Sequence, residues 1–67
     1  MEEKKMSRLY KIRQSLLLSR SELARKADVS PITIARIEEG KACRMETQRK
    51  ILRALGYDLS DKHKVFD

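Results

Sequence analysis

The dipeptide Ser30-Pro31 marks a helix start, and its closeness to an earlier helix start leaves the chain little choice of architecture. Serine caps a helix by accepting a backbone N–H of the first turn. Proline at the first helical position has a suitable φ and lacks only an N–H that would have no partner there. Upstream, Ser19-Arg20-Ser21-Glu22 has the spacing of a capping box. The Ser19 hydroxyl accepts from the Glu22 N–H, and the Glu22 carboxylate accepts from the Ser19 N–H. Leu23, Ala24 and Ala27 then give this helix a buried face. Between Ala27 and Pro31 stand only Asp28, Val29 and Ser30. So short a link makes the two helices cross steeply, with Val29 filling the space between them. That is the geometry of a helix-turn-helix, here over about residues 20–39.

The flanking sequence is also helical. A first piece runs from about Met6 to Leu17, with Leu9, Ile12 and Leu16 on one face. Residues 1–5 are charged, lack apolar spacing and are expected to be a frayed, flexible tail, which leaves 6–67 as one domain. After Pro31, Ile34 and Ile37 point inward, and Gly40 stands where a left-handed φ ends the helix. A fourth piece, Met45 to Leu55, is expected to bury Met45, Ile51, Leu52 and Leu55 before Gly56 stops it. A fifth, Ser60 to Phe66, folds back on the core through Leu59, Val65 and Phe66. No stretch alternates with period two for long, so the expected class is all-α, with five short helices.

Length and composition narrow the function. Sixty-seven residues allow one domain, and 40% hydrophobic residues suffice for a modest core that a partner or dimer would help. Sixteen Lys+Arg against ten Asp+Glu give a net charge of +6, which points to a polyanion: nucleic acid or an acidic membrane surface. The longest apolar run, Leu16-Leu17-Leu18, is far short of the roughly 20 residues that span a bilayer. No secretory h-region follows the charged N-terminus, and the lone Cys43 cannot form an internal disulfide. Both favour a reducing, intracellular setting. Enzyme chemistry is hard to build, because His63 and Cys43 stand far apart and no phosphate-cradling loop or metal-ligand cluster is present. His63 is expected on a solvated helix face and Cys43 in a half-buried position. No cofactor, metal or small-molecule ligand is expected.

The chain also carries a family pattern: Ile12-Arg13; Leu18-Ser19-x-x-Glu22-Leu23-Ala24; Val29-Ser30-x-x-Thr33-Ile34-x-Arg36-Ile37-Glu38-x-Gly40-Lys41; and Ile51-Leu52-x-Ala54-Leu55-Gly56. Over roughly residues 8–60, without an insertion, it resembles the Xre/Cro family, the compact five-helix fold of the lambdoid phage repressors. The resemblance implies that the helix starting at Pro31 enters the major groove N-terminus first. Its base-reading set is then Pro31, Ile32, Thr33 and Arg36. Arg36 suits guanine O6/N7 or a phosphate, Ile32 and Pro31 suit a thymine methyl, and Thr33 can offer its methyl or its hydroxyl. Arg20 occupies the family's backbone-clamping position at the start of a helix, and Ser30, Lys41 and Arg44 are the further phosphate candidates. Arg13 and Glu38 are implied to form a structural ion pair between the first helix and the end of the third.

Two departures stand out. Family members commonly have glycine near the end of the first helix, where this chain has Leu17; leucine at a left-handed φ is costly, so the helix is expected to end differently. Leu16 is assigned to the core and Leu17 to the surface, or else one of the two serves a partner. Arg44 stands at the N-cap of the fourth helix, where a small polar residue is preferred.

Three functions are then weighed. The first is a sequence-specific regulator of transcription on double-stranded DNA. It would be a repressor and a homodimer through the fourth and fifth helices, around Tyr57, Leu59, Val65 and Phe66, in a cytoplasmic, bacterial or phage nucleoid setting. The second is an antitoxin-like or adaptor protein that binds a protein partner. The third, attachment to a membrane surface, is disfavoured because Arg49, Lys50 and Arg53 have no aromatic residues opposite them. The charge is unevenly placed. Residues 1–18 hold five basic and two acidic residues (+3), residues 19–40 four and four (zero), and residues 41–67 seven and four (+3).

Overall fold

Four helices and a short C-terminal fifth make up the computed structural model, which describes residues 7–66. They are α1 (Arg8–Ser15), α2 (Arg20–Ala27), α3 (Pro31–Glu38), α4 (Met45–Leu55) and α5 (Lys62–Val65), with a 3₁₀ turn at Leu59–Asp61 leading into α5. The expected tail at 1–5 and the expected helical start at Met6 lie outside the described residues. α2 packs on α3 and α4, and α1 touches α3 and α5. Among the described residues no strand is present, and the fold is the all-helical, lambda-repressor-like one.

Serine side chains begin the first three helices. Ser7 accepts from the Tyr10 N–H, Ser19 from the Glu22 N–H and Ser30 from the Thr33 N–H. The Ser19–Glu22 box is complete, since the Glu22 carboxylate takes the Ser19 N–H at 2.8 Å. This hydrogen bond, more than the nearby cations Arg25 and Lys26, holds the exposed Glu22 carboxyl below its ordinary 4.5. α4 begins at Arg44 with no side-chain cap.

The four longer helices end alike. At each C-terminus a residue with positive φ follows, and the next N–H reaches back to a carbonyl of the last turn: Leu18 to Arg13, Val29 to Ala24, Lys41 to Arg36 and Tyr57 to Leu52. The positive-φ residues are Leu17 (φ 57°), Asp28 (59°), Gly40 (95°) and Gly56 (82°). Leu17 therefore adopts the left-handed conformation that leucine was expected to avoid.

Leu9, Leu23, Ala24, Ala27, Ile34, Ile37, Ile51, Leu52 and Val65 form the core, with Ile12, Leu18, Val29, Cys43, Leu55, Tyr57 and Phe66 packed against it. Val29, in the turn between α2 and α3, is half-buried against the core. Three apolar expectations need correction. Leu16 is exposed rather than core, because α1 has already turned at its C-cap and Leu18 takes the inward position. Met45 is 66% exposed, since α4 packs inward through Ile51 and Leu52 later in the helix. Leu59 is also exposed, whereas Val65 is fully core.

Candidate nucleic-acid interface

α3 separates its two faces at single-residue resolution. Ile34 and Ile37 are buried, while Pro31, Ile32 and Arg36 are exposed and Thr33 is half-buried. Ile32 leaves 64% of its surface in solvent at the first turn of the helix. Arg36 makes no ion pair or hydrogen bond with another described side chain. Thr33 differs from the expectation of an outward-facing residue. Its hydroxyl lies 3.2 Å from the Ser30 hydroxyl, which also accepts the Thr33 N–H. The Ser-x-x-Thr spacing carried this signal, because an N-cap and the residue three positions on are neighbours.

The sequence-derived phosphate set falls in three places. Lys41 and Arg44 lie together in the loop after α3, both exposed. Lys41 has a loose contact of 3.7 Å with the exposed Glu39, which solvent makes weak. Ser30 stands at the N-cap of α3. Arg20, at the first position of α2, is half-exposed, and its guanidinium Nε donates to Glu38 Oε1 at 3.1 Å.

Glu38 is the hub of the site. Its carboxylate is almost wholly enclosed, with the side chain 3% exposed. Arg13 Nε donates to Oε2 at 2.6 Å and Arg13 Nη2 to Oε1 at 3.2 Å, a two-pronged contact of the kind guanidinium and carboxylate make best. Arg13 Nη1 donates to the Leu18 carbonyl at 2.8 Å, and the Tyr10 ring lies 5.3 Å from the guanidinium carbon. The pair therefore joins α1, the α1–α2 turn and the end of α3. Among the described residues no buried side-chain polar atom lacks a partner. Arg20 brings α2 into the same cluster, a contact that residue patterning did not reveal. Nothing local in the sequence signals it, since Arg20 and Glu38 meet only because α2 packs on α3.

Away from this face, the Arg8 guanidinium donates to the His63 carbonyl and ties α1 to α5. Cys43 is half-buried, and burial pushes its thiol up, with Gln48 partly opposing this by a hydrogen bond. Among the described residues no group of His, Cys, Asp and Glu is placed to hold a metal ion, and no helix is long and apolar enough to cross a membrane.

Comparison with known proteins agrees with this arrangement. A family model described as helix-turn-helix matches residues 9–62, which takes in all of α2, α3 and α4. No curated protein and no solved structure matches the chain. With its capped α2, its three-residue turn and its α3 exposed along one side, the chain belongs to the Xre/Cro-type helix-turn-helix family of DNA-binding regulators.

Proposed function

We propose that this protein is a sequence-specific regulator of transcription that reads the major groove of double-stranded DNA with α3, and that it acts as a dimeric repressor. The observation that carries the reading is the outer face of α3. It holds a free, long cation at Arg36 beside an apolar tip at Pro31 and Ile32, all on a helix locked into the core by Ile34 and Ile37. Arg36 supplies a bidentate donor for a guanine edge or a phosphate, and Ile32 and Pro31 supply contacts for a thymine methyl. The Thr33 methyl joins them, while its hydroxyl is engaged with Ser30. Arg20, Ser30, Lys41 and Arg44 grip phosphates on either side of the groove.

Dimerisation supplies the second half-site, about one helical turn away. Its surface is the groove beside α4 whose exposed apolar residues are Met45 and Leu59, with the half-buried Tyr57 and Phe66 in the same C-terminal part of the chain. Val65 is enclosed in the core and takes no part. The same groove is what favours the second reading, in which a different protein occupies it as in an antitoxin pair; a stoichiometric co-purifying partner would establish that reading.

The experiment is selection of a site from a random duplex pool, followed by salt titration on it. The expected slope is about 0.9 log units of affinity per log unit of salt for each phosphate gripped. Arg36→Ala should flatten preference at one base position, and Arg20→Ala should weaken all sequences alike. Equal affinity for selected and random duplexes would rule the function out.

A further inference from the structure

Arg20 stands apart from the other phosphate candidates in one respect: its side chain is anchored at its inner end. Nε is committed to Glu38 Oε1, while Nη1 and Nη2 have no partner among the described residues, and the side chain is 52% exposed. Glu38 is itself held on several sides. Its carboxylate is enclosed and held by two prongs from Arg13, whose third donor is fixed on the Leu18 carbonyl.

Resting on the groove-reading function above, we infer that Glu38 is a positioning residue for the phosphate grip of Arg20. A free arginine samples many rotamers and loses that freedom when it binds. Tethering Nε to a buried carboxylate removes the freedom before DNA arrives and leaves the terminal fork for two phosphate oxygens. The Coulomb balance also fits. Arg13 neutralises the Glu38 carboxylate, so the positive charge of Arg20 stays uncompensated and available to an anion. Because Glu38 closes α3 and Arg20 opens α2, the same contact sets the phosphate grip in register with the reading helix.

The test uses the full chain on its selected duplex, with backbone phosphates replaced one at a time by uncharged methylphosphonate. In the wild type, one replacement should cost about tenfold in affinity, and Arg20→Ala should abolish that cost. In Arg20→Lys the cost should fall below about threefold, because an ammonium keeps the charge but has neither the Nε tether nor the fork. In Glu38→Gln the cost should shrink similarly although Arg20 is intact. A cost confined to one phosphate is a readout that a merely structural Glu38 would not move. Should Glu38→Gln fail to fold, Arg20→Lys still tests the inference with the Arg13–Glu38 pair in place, since an undiminished cost there overturns it.

An undiminished cost in Arg20→Lys overturns the inference, since a point charge would then suffice. An undiminished or larger cost in folded Glu38→Gln overturns it as well, with Glu38 idle or competing for the guanidinium. Absence of any phosphate sensitive to Arg20 overturns it too, while sequence-selective binding would survive. A wild-type protein that selects no duplex would instead remove the groove-reading function underneath.

Discussion

Leu17 carries a cost that no contact repays. Its φ is 57° and its side chain is 89% exposed, so the left-handed backbone strains the residue while burial contributes almost nothing. A left-handed conformation costs an L-residue with a Cβ about 1 kcal/mol or more relative to glycine. Leu17→Gly should therefore stabilise the protein by about 1 kcal/mol and raise the melting temperature by about 5 °C, read by thermal denaturation. Arg13 is the opposite case, since every donor nitrogen it carries is used inside the protein. Arg13→Ala leaves the enclosed Glu38 carboxylate with Arg20 alone and should cost about 3 kcal/mol. Its folded fraction at low temperature should still bind DNA. A variant that melts like the wild type yet fails to bind would show that Arg13 contacts DNA instead.

At the scale of elements, the helix starts are unequal. α1, α2 and α3 have serine caps and α4 has none, because Arg44 has no side-chain acceptor for the first-turn N–H groups. Arg44→Asp should add about 1 kcal/mol of stability through a new cap and a favourable charge at the helix N-terminus. It should also weaken DNA binding by replacing a cation with an anion beside the phosphates. Calorimetry and a binding titration moving in opposite directions would mark Arg44 as a residue kept for contact at the expense of its helix. The α2 cap predicts a pH dependence. The folded-state pKa of Glu22 is lowered, so its contribution is present above the unfolded carboxyl pKa and is lost as pH falls through the folded value. Between neutral pH and about pH 3, Glu22→Gln should lose less stability than the wild type, as followed by denaturant unfolding at each pH.

For the whole molecule, the question is which apolar surface the single core leaves over. Met45 and Leu59 remain outside it beside α4, while Val65 completes it from α5. Leu59→Glu should convert a dimer to monomer in sedimentation equilibrium with the melting transition of the monomer retained, because Leu59 is not a core residue. An unchanged association state would move the dimer surface elsewhere. The overall charge of +6 acts at this scale too: it lies in the flanks, and the helix-turn-helix segment 19–40 is neutral. On the proposed function, long-range attraction to DNA and discrimination between sequences come from different residues.

The helices could be read from the chain because their signals are local. Ser19 with Glu22, Ser30 with Pro31, and Gly40 and Gly56 after apolar periodicity each act within a turn or two of backbone. The inward positions of Ile34 and Ile37, and so the outward direction of Ile32 and Arg36, follow from the same periodicity. The end of α2 at Ala27 was legible, but the left-handed turns at Leu17 and Asp28 were not. Neither residue prefers a left-handed φ as glycine does, and the backbone takes it there because the core fixes where α2 and α3 must begin. Periodicity likewise placed Met45 and Leu16 on apolar faces without saying how far each face is covered, which depends on where neighbouring helices end. Arg13 and Glu38 were paired through family resemblance, but the third member, Arg20, belongs to packing alone. Arg20 can reach the carboxylate of Glu38, 18 residues along the chain, only once helices from different parts of the chain have come together around it.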